Sequence, residues 1–338
     1  LDTGRHLDEV GDPADGIPPA VSRQHGRGEG EVDGLVGGLA AAAVLGPGRH
    51  LLAGRKQQDA LVGFYTPDIG MCHTGTDNDK SNLDLSLCML ASGSKGNATY
   101  ISDGDTSILI DAGLSGVELQ RRLVSRDLDP EHLDAIIVTH EHSDHVQGVG
   151  ILSRRYKLPV YINQKTHQAS PRLGSLHETK SFECGQTFHI SNLTIHPFSI
   201  SHDAEDPVGF TIGQNGTTIA IATDLGIATS MVKEHLKHCA LLILEANHDP
   251  QMLERGPYPW PLKQRIKGRT GHLSNTSSKI LLEELQHENL QHVILAHLSE
   301  VNNTPKLAYD EVARALTRCS AKLYVADQHT SSPVIYLK

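Results

Sequence analysis

The stretch Thr139-His140-Glu141-His142-Ser143-Asp144-His145 sets three imidazoles and a neighbouring carboxylate within six positions, directly after the apolar run 135–138. Neutral imidazole and carboxylate are the ligands that zinc, manganese and iron select. An apolar strand running straight into such a cluster builds the floor of a metal site. The competing reading, a solvated histidine-rich loop, fits poorly with so many ligand atoms at metal-ligand spacing.

Four other apolar runs also end in an ionisable residue: Ser-Ile-Leu-Ile-Asp111, Ile-Ala-Ile-Ala-Thr-Asp224, Leu-Leu-Ile-Leu-Glu245 and Val-Ile-Leu-Ala-His297. A strand buried on both faces is apolar throughout. A charge at its exit is tolerated where that end opens on water, a partner or a metal. One such ending is ordinary; five point to strand ends converging on one rim, where sheet proteins place their sites. Coordination chemistry then groups the residues. His140 and His142 can clamp one metal and Asp144 and His145 a second. His202 can complete the first and His297 the second, with Asp224 as a bridge. Two metals roughly 4 Å apart hold a nucleophilic hydroxide and clamp the oxygens of a phosphate. For any one distant residue, a hydrogen-bonded structural role stands beside the ligand role.

The elements that must position these residues begin near residue 84. Strand-like runs are expected at 85–90, 99–102, 107–110, 135–138, 160–162, 193–200, 210–212, 218–222, 241–244, 292–295, 322–325 and 334–336. Helices are expected at 116–125, 147–156, 228–237, 275–288 and 304–318, with Asn275 and Asn303-Thr304-Pro305 as N-terminal caps. Interleaved strands and helices over such a length imply a layered α/β domain. Residues 1–83 read differently. They hold 15 of the 31 glycines and show no sustained apolar period. Such a stretch is expected to be disordered, or a spurious extension upstream of the 84–338 domain.

With 338 residues the chain is long enough to bury a sizeable core. A formal charge of −10 argues against a protein that coats nucleic acid, but leaves room for a local basic groove. Five scattered cysteines without a CxxC pair make a disulfide framework or an all-cysteine zinc site a poor fit. No apolar run approaches the roughly 20 residues of a membrane span. A cytoplasmic protein is the expectation.

The His140-Glu-His142-Ser-Asp144-His145 stretch resembles the HxHxDH signature of the metallo-β-lactamase fold. Ser92-Gly-Ser94-Lys95-Gly-Asn97, Gly271-His272-Leu-Ser-Asn275 and Ala-His297-Leu-Ser-Glu-Val-Asn302-Asn303 are similar to the YycJ/WalJ branch of that fold, over about residues 85–338. The resemblance implies an αββα sandwich, with metals at one edge of two facing sheets. It implies two divalent ions, zinc or manganese. His140, His142 and His202 resemble the ligands of one, and Asp144, His145 and His297 those of the other, with Asp224 bridging. Asp111 matches an acid that supports a ligand histidine from behind. His272 resembles the histidine that assists at the phosphate in ribonuclease Z, with Glu245 as its acidic partner; His297 is preferred over His272 as ligand because it ends a strand. Lactam-cleaving relatives carry Cys where this chain has Asp224. The His-Thr-Pro-Gly-His pattern of glyoxalase-type thioesterases is missing at His202, and the long insertion of ribonuclease J has no room before His297.

Fold alone does not give a substrate. The small-residue loop at 92–97 can offer backbone amides as an anion nest, with Ser94, Lys95 and Asn97 facing substrate. Lys263, Arg265, Lys267 and Arg269 punctuate the approach to His272 beside Tyr258 and Trp260, a pattern suited to a nucleic-acid backbone and to base stacking. The plain alternatives are a tight turn and a solvated surface loop. The expected activity is phosphodiester hydrolysis through a hydroxide on two metals, with Asp144, His272 and Glu245 as the catalytic groups. The resemblance favours 5′-to-3′ exonuclease action on DNA in bacteria. Competing readings are an RNA-processing or small cyclic phosphodiesterase, and a metal-binding regulatory module without turnover.

Overall fold

The computed structural model describes residues 64–65 and 85–338. Its strands are β1 (Phe64–Tyr65), β2 (Ser86–Ala91), β3 (Ala98–Ser102), β4 (Ser107–Ile110), β5 (Ala135–Ile137), β6 (Pro159–Ile162), β7 (Glu178–Ser181), β8 (Phe188–Ile190), β9 (Leu193–Ser199), β10 (Val208–Gln214), β11 (Thr217–Ala222), β12 (Leu241–Glu245), β13 (His292–Ala296), β14 (Lys322–Ala326) and β15 (Ile335–Tyr336). Two mixed sheets result. One runs β1-β14-β13-β12-β11-β10-β9-β8, the other β15-β2-β3-β4-β5-β6-β7.

Side chains sort into three apolar layers because the central strands are buried on both faces. Leu87, Ile101, Ile108 and Ile137 from one sheet meet Phe210, Ile219, Ile243 and Ile294 from the other. Behind the first sheet, Leu242, Leu244, Val293 and Leu295 pack on the helices Ser230–Leu236, Asn275–Leu285 and Pro305–Val312. Behind the second, Leu109, Ile136 and Val160 pack on Gly116–Val124 and Val149–Tyr156. Helix, sheet, sheet and helix make the αββα sandwich.

Each expected strand and helix is present, the strand at 107–110 with the expected bounds and the others with one or both ends shifted by a residue or more. The stretch expected as one helix over 147–156 breaks at Gly148, separating Ser143–Val146 from Val149–Tyr156. Ser274, not Asn275, caps the helix at 275, its hydroxyl accepting from Ser277 N. Thr304 caps the helix that starts at Pro305. The basic stretch read as a loop contains a helix, Trp260–Lys267. Unexpected strands are β7, whose residues are all exposed, the three-residue β8, and β1. Phe64 and Tyr65 fall inside the stretch set apart from the domain, yet they pair antiparallel with Ala326 and Val325 of β14. The rest of 1–83 lies outside the described residues. Among the described residues, no helix is long and apolar enough to cross a membrane.

Candidate metal centre and its cleft

Parallel registry brings the ionisable strand ends together. In the second sheet Ile110 of β4 pairs with Ile137 of β5, so Asp111 and the Thr139-His140 turn leave side by side. In the first, Ala222 pairs with Leu244 and Glu245 with Ala296, which aligns the exits to Asp224, Glu245 and His297. Asp111, Asp224 and His297 then turn through the left-handed region, with φ of 60°, 57° and 57°. Asp and His enter that region more readily than most residues. Each such turn costs about 1–3 kcal/mol, which the surrounding packing offsets. Gly113 lets the loop from β4 press against the 140–145 turn, since a Cβ there would lie 1.6 Å from the Asp144 carbonyl oxygen.

The structure gathers every residue assigned to the two metals into one buried cluster. His140, His142 and His202 converge, as do Asp144, His145 and His297. His140, His145 and Asp224 share a group, as do Asp224, Glu245, His272 and His297; within each group the ligand atoms lie within 4.8 Å of one another. His140 Nε2 stands 3.1 Å from His142 Nδ1, and His202 Nε2 stands 3.2 Å from the same atom. Zinc–imidazole bonds of 2.0–2.1 Å set tetrahedral ligand atoms about 3.3 Å apart, so these nitrogens fit around a single ion.

Buried partners select which nitrogen each ring presents. The Thr139 hydroxyl donates to Asp111 Oδ2 at 2.8 Å, so toward His140 Nδ1, 3.0 Å away, it acts as acceptor. His145 Nδ1 donates to Asp111 Oδ2 at 2.7 Å. Glu245 Oε1 accepts from both His272 Nδ1 and His297 Nδ1, each at 2.8 Å. In the neutral form of each of these four rings Nε2 is then the lone pair, free to take a metal. His145 Nε2 lies 3.5 Å from Asp144 Oδ2 and 3.3 Å from Asp224 Oδ2, and His297 Nε2 lies 3.6 Å from Asp144 Oδ2. Asp224 Oδ2 and His297 Nε2 are buried without a hydrogen-bond partner. Such orphaned atoms are costly unless something pairs with them. This donor set, nitrogen and carboxylate oxygen without thiolate, fits divalent zinc or manganese.

Burial and the neighbouring charges set the protonation of the cluster. Burial, and then the neighbouring His145, hold His140 well below the usual imidazole range, so it is neutral. Burial pulls His145 and His297 down too, but the carboxylates, Asp224 first, outweigh it and hold both well above. Burial opposes ionisation of Asp224, yet the surrounding histidines keep it well below the usual carboxylate range. Glu245 follows the same pattern, raised by burial and brought net to about 2 by His272 and His297.

Residues read as substrate-facing split into two sets. Asn97 is buried against the centre, its Nδ2 lying 3.3 Å from Asp144 Oδ2 and 3.1 Å from His145 Nε2. Its Oδ1 accepts from Gly93 N, Gln328 Oε1 accepts from Lys95 N, and the Gly96 and Asn97 amides bond to Gly93 O and Asp144 O. Four amides of the expected nest are therefore already satisfied inside the protein. Lys95 pairs with Glu300 at 2.7 Å. Ser94 and Arg265 line a cleft beside His272, together with Tyr258, Asn247 and Ser299. Arg265 Nε is bonded to Asp203, the residue after His202. Arg269 is exposed, and its carbonyl accepts from Ser201 Oγ at 2.8 Å. Sequence reasoning missed Thr139, which fixes the His140 ring, and the second partner of Glu245, His297. An apolar run ending Val-Thr-His held the signal for the first; nothing local held one for the second.

Comparisons with known proteins agree with this architecture. A profile of the Beta-lactamase superfamily domain matches residues 106–298. The chain is 35% identical to exodeoxyribonuclease YycJ of Bacillus anthracis over 237 residues, covering 69% of this chain and 90% of that protein. It is 34% identical to exodeoxyribonuclease WalJ of Streptococcus pneumoniae, over 75% of this chain and 98% of the relative. Among solved structures, the metallo-β-lactamase fold protein YhfI of Bacillus subtilis superposes with a TM-score of 0.59 at 19% identity, covering 74% of this chain and 99% of that one.

Proposed function

Because the chain belongs to the metallo-β-lactamase family of metal-dependent hydrolases, we propose that it is a DNA exonuclease, working 5′ to 3′ in the cytoplasm with two divalent ions. What carries the reading is the full complement of seven buried or half-buried ligands, joined to a Glu245–His272 pair at the edge of a cleft. Identity of about a third to two exodeoxyribonucleases supports the choice of polymer.

In this proposal His140, His142 and His202 would hold one ion and Asp144, His145 and His297 the other, with Asp224 available to both. When bound, the ions supply Lewis acidity toward the phosphate and lower the pKa of a water molecule. The chain's own residues do the rest. Asn97 holds Asp144 toward His145, where its carboxylate accepts a proton from the attacking water. The water oxygen bonds to phosphorus as the P–O3′ bond breaks, and His272 protonates the departing oxygen. Glu245 fixes the His272 ring for that transfer. Burial lowers the His272 proton affinity, but the adjacent Glu245 carboxylate outweighs it and raises the pKa, as a proton donor requires.

Purified protein is incubated with Mn²⁺ or Zn²⁺ and 5′-labelled duplex DNA, single-stranded DNA, RNA or bis-p-nitrophenyl phosphate. Processive loss from DNA 5′ ends, abolished by Asp144→Ala, is the expected result. Cleavage of RNA alone overturns the choice of polymer, and hydrolysis of nothing in either metal favours a regulatory metal-binding module. Wild-type rates in Asp144→Ala with its metal content intact would refute the assigned site.

A further inference from the structure

The cleft beside His272 has features that hydrolysis alone does not call for. It measures about 180 Å³. Part of its lining is apolar and comes from one stretch of chain: Tyr258, then Leu262 and Ile266, one turn apart on the helix Trp260–Lys267. Ser94, Asn247 and Ser299 add neutral polar groups from three separate loops, beside His272 and the Asp203 carboxylate. Asn247 commits Nδ2 to the His297 carbonyl at 2.9 Å, and Ser299 Oγ accepts from Asn302 N at 3.1 Å. Each therefore keeps polar capacity for a ligand, the Asn247 oxygen as an acceptor and the Ser299 hydroxyl as a donor. Arg265 adds a guanidinium, held in the free protein by Asp203.

An aromatic face, a set of hydroxyl and amide groups and one exchangeable cation, all next to a phosphate-cleaving centre, match the three parts of a nucleotide. The ring stacks on the base, the hydroxyl and amide groups reach the sugar or base edge, and Arg265 trades Asp203 for a phosphate. The cleft is small, below the roughly 300 Å³ at which small-molecule pockets begin, which suits one planar base better than a stacked pair. We propose that this cleft is the subsite for the single terminal nucleotide that each round of hydrolysis releases, with Tyr258 stacked on its base. The inference rests on the nuclease reading and deepens it: a subsite one nucleotide deep favours a strand end over an internal bond. Because every base has a π-face, the subsite reads the presence of a base and not its identity.

The test uses the full chain and needs no turnover. Binding of dAMP and of deoxyribose 5-phosphate is measured by calorimetry in wild type, Tyr258→Ala and Tyr258→Phe. Loss of a base-stacking ring should weaken dAMP about tenfold in Tyr258→Ala, while Tyr258→Phe stays within about twofold of wild type. Deoxyribose 5-phosphate, lacking the base, should bind all three proteins equally. Equal dAMP affinity in wild type and Tyr258→Ala overturns the subsite, as does failure of wild type to bind dAMP. The expected pattern in a protein that cleaves no DNA would keep the subsite and sink the nuclease reading, so the two fail separately.

Discussion

The metal cluster and the helix Trp260–Lys267 sit a few residues apart around His272, and they are built on opposite principles. In the cluster, His140, His145, Asp224 and His297 are each at most 3% exposed, and the three histidine rings are fixed by second partners. The helix buries none of its side chains, and Trp260 is 70% exposed. It is held near the cleft by exposed bonds from Arg265 to Asp203 and from Lys263 to the Glu254 carbonyl, and by a backbone bond from His272 N to Ile266 O at 2.9 Å. Exposed ion pairs contribute at most about 1 kcal/mol. The candidate metal site is thus tied to the core, whereas the proposed contact with substrate falls to a surface element.

The contrast predicts a graded series of effects. Asp224→Asn should be the most damaging: it removes the charge shared between both ligand sets and retains a residue that tolerates a left-handed turn. Metal analysis should show lost occupancy, and hydrolysis should fall roughly a thousandfold or more. Wild-type activity with full metal would break the comparison at its buried end.

Glu245→Gln should cost roughly 10- to 100-fold in metal affinity or rate, the usual effect of changing a residue that orients ligands. It also has a pH signature. The ordinary value of 4.5 falls to about 2 in the fold, so the unfolded chain takes up the proton first. Stability from this carboxylate is present above about pH 4.5 and is lost as pH falls toward 2. Acid unfolding of metal-free protein should therefore be less steep in Glu245→Gln over that window; an unchanged profile would contradict the buried pairing.

Arg265→Ala should act on binding alone. KM for DNA should rise several-fold with kcat little changed, and the slope of binding against log salt should shrink by about one. A fall in kcat at constant KM would place Arg265 in the chemistry instead. Smallest of all, Trp260→Ala should leave stability within about 0.5 kcal/mol of wild type. A drop in melting temperature of several degrees would mean that the helix is part of the core after all.

The same contrast governs what could be read from the amino-acid order. Strands such as β5 and β12 were legible because burial on both faces writes a continuous apolar run, and their charged exits announced the rim. That these side chains gather at one rim was legible for the same reason. Strand β7 was not, because its Glu-Thr-Lys-Ser text is exposed on every side. Nor was the helix at 260, whose lack of a buried face leaves no apolar period to detect. Asn97 was read as a substrate contact because polarity in a glycine-rich loop does not say which way it faces; in the fold it braces Asp144. Ser274 was passed over for Asn275 because both are good caps and only the backbone decides between them.

The shared oxygen of Glu245 has one further consequence. His272 and His297 both donate to Oε1, so anything that strengthens one of these bonds competes with the other. Under the proposed ligand set, loading an ion at His297 and holding a proton on His272 become a single coupled equilibrium, and by reciprocity each must shift the other by the same factor. The affinity of the centre for its ions would then carry information about the protonation of a group outside its ligand shell, and the enzyme's readiness to release product would be sensed, through one carboxylate, at the metal.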